Sequence, residues 1–272
     1  MRMDLGQLSG WVVPRGLDSS VVRGETKFIR AQAHLSDLRR LLDAYRTQAA
    51  DALYVVSMAE DGRPEYRRGD LPVVPVEIAL ALGDFLQAGR ASLDHAVYAI
   101  STAIEPGYVE KPCFPIALDE KGYRRAAAAA LKFVPDEVCA IVEQYQPVGM
   151  DDPLWQLHNL ARIDRHREIT LLASHVQTDL VGWTRTVPSD ENPDIQIYRP
   201  AVSAGELLAR VPSREQEPFG TFTPEFELSV VVGEGDRFAE RQEVFGLATE
   251  IRIRVRTVLL ELDRVADQLG GQ

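Results

Sequence analysis

The sequence predicts an α+β protein: mainly a helical bundle, with a small antiparallel sheet inserted before a long C-terminal helix. Three observations carry this. Apolar residues recur at alternating three- and four-residue spacing in both the 22–50 and the 237–269 segments, which puts one narrow packing seam along each helix. Segment 77–104, EIALALGDFLQAGRASLDHAVYAISTAI, is free of proline and largely apolar or small, and reads as a long central helix. From 175 to 233 the composition changes to β-branched and aromatic runs broken by Pro, Gly, Asn and Asp, the pattern of short antiparallel strands.

The elements follow in order. On the first helix the seam is Phe28, Ala31, Leu35, Leu38, Leu42 and Tyr45. Residues 51–60 read as a strand running into the Asp61-Gly62 turn, with 65–70 as its return. Pro75 suits the first turn of the central helix. Beyond Glu105-Pro106-Gly107, the two prolines of 111–117 (KPCFPIA) exclude helix interior and predict an extended piece. A helix through Ala126–Ala130 follows, and Pro135-Asp136-Glu137 opens another. Segment 151–172, with its Asp-Asp-Pro start, reads as one further helix. Strands are expected in 175–187, 194–202 and 226–232, joined by the early hairpin in one sheet. On the last helix Val244, Ala248, Ile251, Val255, Val258, Leu262, Val265 and Leu269 form a seam matching the first, so the two are expected to pair. The same seam could serve a homodimer.

One domain spanning 1–272 is expected: first helix 22–50, central helical region 71–172, β region 173–235 and C-terminal helix 237–269. With 45% hydrophobic and 26% charged residues the chain has the balance of an ordinary globular protein. Its net charge of −11 excludes a broad electrostatic grip on nucleic acid or anionic lipid, so a polyanion would need a local site. Cys113 and Cys139 match no ligand spacing and are expected as free thiols in a reducing compartment. The N-terminal stretch lacks the apolar run of a signal peptide and no segment is long enough to span a bilayer, which predicts a cytoplasmic protein with no membrane partner. No phosphate loop or G-x-G-x-x-G stretch occurs, so no cofactor is expected, and no G-x-S-x-G turn supports a serine nucleophile.

The polar residues of the central helix carry the functional reading. At about 100° per residue, Ile78, Leu82, Phe85, Leu86, Gly89, Leu93, Ala96, Val97 and Ile100 form one face. Asp84, Gln87, Ala91, Asp94, His95, Tyr98 and Thr102 form the opposite stripe, with Arg90 at its edge. No lysine interrupts this helix, which suits a stripe packed on another helix or lining a cleft. On the 151–172 helix, Trp155, Asn159, Arg162 and His166 share one arc. Asp164 sits on an apolar arc and needs a partner, for which Arg90, Arg30 with His34, or His95 would serve. The candidate catalytic residues are therefore Arg90, Asp94, His95, Asp164 and His166, with Arg162, Asn159 and Tyr98 as substrate contacts.

A histidine can take the proton of a ribose 2′-hydroxyl while a guanidinium stabilises charge on the phosphate. The Arg90-x4-His95 spacing resembles the R-x4-6-H signature of the HEPN superfamily, helical-bundle proteins that often dimerise so that two motifs line one RNA-cutting cleft. That resemblance implies a metal-independent ribonuclease or defence-associated protein, an RNA substrate at a local site and a homodimer. Ala91 departs from the polar residue common after the arginine. On an ideal helix Arg90 and His95 point about 140° apart, so they meet obliquely or across a dimer. Over more of its length the chain resembles a set of uncharacterised bacterial proteins with a GD-x5-R-S/A-x-L-D-H helix, an F-P-I segment and an I-D-x-H-R helix. Here these are Gly83-Asp84 with Arg90–His95, Phe114-Pro115-Ile116, and Ile163–Arg167. This resemblance implies that the two Asp/His clusters belong to one site. Two alternatives stand beside the ribonuclease: a metal site drawing on Asp94, His95, His158, Asp164 and His166, and a non-catalytic scaffold whose Arg/Asp/His network fixes packing.

Overall fold

The computed structural model describes residues 21–104, 112–179, 196–197, 204–210, 225–233 and 242–270. Helix α1 spans Val21–Ala49, strands β1 and β2 span Tyr54–Met58 and Pro64–Arg68, and the central helix α2 spans Val76–Ile104. Helices α3 (Glu120–Ala130), α4 (Asp136–Gln144) and α5 (Pro153–Asp164) follow. Strands β3 (Leu171–Asp179), β4 (Gln196–Ile197), β5 (Leu207–Arg210) and β6 (Glu225–Val232) precede helix α6, Val244–Gly270. The protein is thus α+β and mainly helical, with antiparallel strands placed before a long C-terminal helix. Among the described residues no helix is long and apolar enough to cross a membrane.

The chain forms two compact units, one of residues 1–35, 83–167 and 247–272, the other of 36–82 and 168–246. In the first, Gly24 of α1 lies against Ser92 and Ala96 of α2, and His34 Nδ1 is 3.8 Å from Asp84, so the two helices run antiparallel. α5 runs antiparallel to α2 in turn, since Gln87 bonds to the Ala161 carbonyl while Gly89 faces Leu157. Arg254 of α6 ties to the N-cap of α5 through Asp152 at 2.8 Å and lies over the Tyr145 ring. The α2 positions read as core are buried: Ile100 is the most accessible of the apolar ones at 6%.

An acidic strip runs along the same unit. Asp263 on α6 is pushed up to about 7, first by burial and then by Glu25 of α1 and by Asp267. Its folded value lies above the ordinary 3.8, so between those values the folded chain binds more protons than the unfolded one. Stability contributed by this group is therefore present at low pH and lost as pH rises from about 4 to about 7. Asp263→Asn is expected to match the native chain at pH 3.5 and to exceed it by a margin growing to the order of 2 kcal/mol above pH 7, the linkage value being discounted for partial exposure. Urea unfolding across this range reads the margin; one that is constant with pH would contradict the assignment.

In the second unit the early hairpin turns at Asp61-Gly62, where Gly62 takes φ 79. β2 then pairs with β5 in a four-stranded antiparallel sheet of order β1-β2-β5-β4, and β3 pairs with β6 as a separate antiparallel ribbon. Tyr54, Tyr66 and Phe226 form an aromatic cluster with centroids 5.1 to 5.7 Å apart. Arg39 of α1 lies over Phe245 of α6, 5.7 Å from the ring centroid.

Two expectations are corrected. The helix read over 151–172 ends at Asp164: the His166 and Arg167 N–H groups both close back on the Ile163 carbonyl, and Leu171 and Leu172 join β3 opposite Val232 and Val231. Leucine favours helix, but ladder pairing decides here. β5 has the same origin, since Leu-Leu-Ala-Arg carries no strand signal of its own. The last helix begins at Val244 rather than 237, because the Gln242 carbonyl accepts from Val232 and Glu243 bridges to Val231. The Glu105-Pro106-Gly107 turn, residues 180–187, 194–195 and 198–202 of the expected strands, and 237–241 lie outside the described residues.

Candidate functional site

The cluster is built on α2, α5 and the extended 112–117 segment. Arg90 and Asp94 stand one turn apart on α2, with Nη2 3.0 Å from Oδ1. Together they grip the backbone of one residue from both sides: Arg90 Nη2 donates to the Phe114 carbonyl at 2.7 Å, and the Phe114 N–H donates to Asp94 Oδ1 at 3.0 Å. The reason lies in Phe114, which is 0% exposed within a segment that proline keeps out of any regular ladder. Its buried backbone groups need partners, and the ion pair supplies both. Burial, the largest influence, raises the Asp94 carboxyl above the ordinary range despite Arg90, the Phe114 N–H, His95 and Arg165. The neighbouring Cys113 thiol is raised by burial and by Asp94; it and Cys139 are both free.

Asp164 meets a different partner from those expected. Gln87 Nε2 donates to its Oδ2 at 3.0 Å and also to the Ala161 carbonyl at 2.6 Å. Its carboxylate fills the space beside Gly83, where any Cβ would overlap Oδ1. His34 turns to Asp84 and accepts from Arg30 Nε at 3.0 Å. The three motifs of the central region are thus tied together physically: Gly83 and Gln87 to Asp164, and Arg90 with Asp94 to Phe114.

The other candidates divide. His95 is half-buried and electrostatically coupled to Asp94. Asn159 is 2% exposed, donates to the Trp155 carbonyl and accepts from Arg162 Nη2 at 3.4 Å, so it supports Arg162 rather than facing a ligand. Tyr98 is exposed one turn beyond Asp94. His166 stands exposed on the turn after α5, and among the described residues its side chain takes no part in the cluster's hydrogen bonds. Among the described residues no group of three His, Cys, Asp or Glu side chains is arranged to hold a metal ion, so the metal alternative has no ligand set there.

His158 lies beside this cluster on α5. It stacks on Trp155 with centroids 5.7 Å apart and planes 21° from parallel. Burial first, then Arg90, Arg162 and Arg165, bring its pKa down to about 4. His158, Arg162 and Arg165 fall at i, i+4 and i+7, one face of α5 continued onto its C-cap residue. That spacing is present in the sequence, where Arg162 alone of the two arginines is read as a substrate contact. Searched against family models, curated proteins and solved structures, the chain matches none of them.

Proposed function

We propose that the chain is a HEPN-like, metal-independent ribonuclease, working as a homodimer in the bacterial cytoplasm, with Arg90, Asp94 and His95 as its reacting centre. The observation that carries this reading is the state of Arg90. Its Nη2 is fixed by Asp94 and Phe114, while Nη1 is buried with no hydrogen-bond partner among the described residues. A buried donor left open costs free energy that an anionic oxygen would recover, and a guanidinium held in advance suits charge developing on phosphate.

In this reading His95 takes the proton of the 2′-hydroxyl and the 2′-oxygen attacks the adjacent phosphorus. The bond from phosphorus to the 5′-oxygen breaks, leaving a 2′,3′-cyclic phosphate, and the 5′-oxygen takes a proton from water. Asp94 orients Arg90, and Arg162 contacts the strand. Because Arg90 and His95 diverge by about 140° on one helix, Arg90 of one protomer is paired with His95 of its partner. Purified protein held in excess chelator is expected to cut labelled RNA and leave cyclic-phosphate ends. Varied RNAs remaining intact would overturn the reading.

A non-catalytic scaffold is the second reading, and one observation favours it: Arg90 and Asp94 already satisfy the Phe114 backbone, a structural task sufficient to explain both. On that reading, substitutions in the cluster lower the melting temperature and no cleavage exists to be lost.

A further inference from the structure

We propose that Arg90, Arg162, Arg165 and His158 form a binding site for a phosphate group on the α2 and α5 side of the cluster. The proposal rests on the ribonuclease reading only for the source of the phosphate, a strand of RNA rather than a free phosphate ion or monoester.

Four observations converge. In a chain of net charge −11, Arg162 and Arg165 follow His158 at i+4 and i+7, and Arg90 lies on α2 next to Gly89, which faces Leu157 of α5, so that all three guanidiniums act on one imidazole. Among the described residues no carboxylate pairs with Arg162 or Arg165: Arg162 bonds to the Asn159 amide oxygen at 3.4 Å, and Arg165 Nε to the Ala161 carbonyl at 3.3 Å. Both contacts are neutral and long, and they pin each guanidinium stem without cancelling its charge. Arg90 brings a buried Nη1 with no partner. The ring of His158 is backed by the Trp155 indole, which fixes its plane. Of the acids near this face, Asp94 acts on Arg165 without an ion pair and spends its hydrogen bonds on Arg90 and the Phe114 N–H, while Asp164 accepts from Gln87.

The chemistry that answers this arrangement is a tetrahedral oxyanion able to accept from several N–H donors at once. Arg162 and Arg165 supply exposed donors and Arg90 a buried one. His158 adds a conditional donor. It is neutral while the three guanidiniums face it alone, and an arriving anion offsets their repulsion and favours the imidazolium. Phosphate binding and protonation of His158 are therefore linked: the ligand raises the imidazole pKa, and falling pH strengthens the ligand. Sulfate, which stays a dianion over this range, isolates the contribution of His158 from the titration of phosphate itself.

The test uses the full chain and inorganic phosphate, sulfate and a 2′-O-methyl RNA oligonucleotide that cannot be cut. The His158 ring resonance is followed by NMR from pH 4 to 7 at fixed ionic strength, identified by its loss in His158→Gln. Phosphate and sulfate are each expected to raise the His158 pKa above its value of about 4 in chloride. The Arg162→Ala/Arg165→Ala chain, whose altered residues are exposed, is expected to lose at least tenfold in affinity for both ions while keeping its melting temperature in chloride. Competition between the oligonucleotide and sulfate identifies a polynucleotide source; ion binding without competition identifies a free phosphate or monoester. Either supports the site. A His158 titration indifferent to both ions, or full affinity retained in the double variant, overturns it whether or not RNA is cut.

Discussion

His95→Ala is expected to lower the rate of RNA cleavage by about 10² to 10⁴-fold, the range for losing a general base, while the melting temperature moves by only a few degrees. The two halves of this expectation have separate causes. His95 is half-buried on α2 beside Asp94, and the hydrogen bonds that hold the Phe114 backbone come from Arg90 and Asp94. Its removal deletes a proton acceptor without opening the segment that Arg90 and Asp94 secure. Cleavage assays in chelator, run beside thermal unfolding of the same preparations, check both halves. A variant that cuts RNA at the native rate removes His95 from the reaction.

Asp94→Ala is expected to cost about 2 to 3 kcal/mol of stability, less than a wholly enclosed pair because both side chains keep some contact with water. Three losses follow from one carboxylate: Arg90 loses its counter-charge, the Phe114 N–H loses its acceptor, and a cavity opens beside a fully buried aromatic residue. Arg90→Ala removes the donor to the Phe114 carbonyl and leaves Asp94 unpaired, at a similar cost. The double variant should be less destabilised than the sum of the two, since neither strands the other's charge. Denaturant unfolding of all four chains measures this coupling; strict additivity would show that the pair does not act as one clamp on Phe114. Activity falls in every variant of the set, so this cycle reports on the architecture of the site and His95→Ala on its chemistry.

Much of this architecture was legible because it follows from periodicity. The seams of α1 and α6 and the core face of α2 depend on a helical repeat that side chains cannot disguise. The Asp61-Gly62 turn was equally plain, because a left-handed residue there favours glycine. Where three-dimensional partners decide, the sequence was less informative. Leu171 and Leu172 belong to a strand because Val231 and Val232 lie opposite, and Leu207–Arg210 for the same kind of reason. Asp164 was marked as needing a partner, but charge suggested arginine or histidine where the fold provides an amide and a glycine-sized space. Arg90 with Asp94 was readable as a one-turn pair, whereas the backbone it holds could not be read from spacing. His158 illustrates the converse: its spacing to Arg162 and Arg165 was visible, and only the added charge of Arg90 on α2 makes that face unusual.

The central claim is that a ribose 2′-hydroxyl is the nucleophile and that no metal ion takes part. It is tested most directly with an RNA carrying a single 2′-deoxy substitution at a linkage the protein cuts, incubated in excess chelator. The account predicts that cleavage stops at that linkage alone and continues at its neighbours with 2′,3′-cyclic phosphate ends; cleavage through the deoxy linkage, or activity that appears only when a divalent metal is restored, would contradict it.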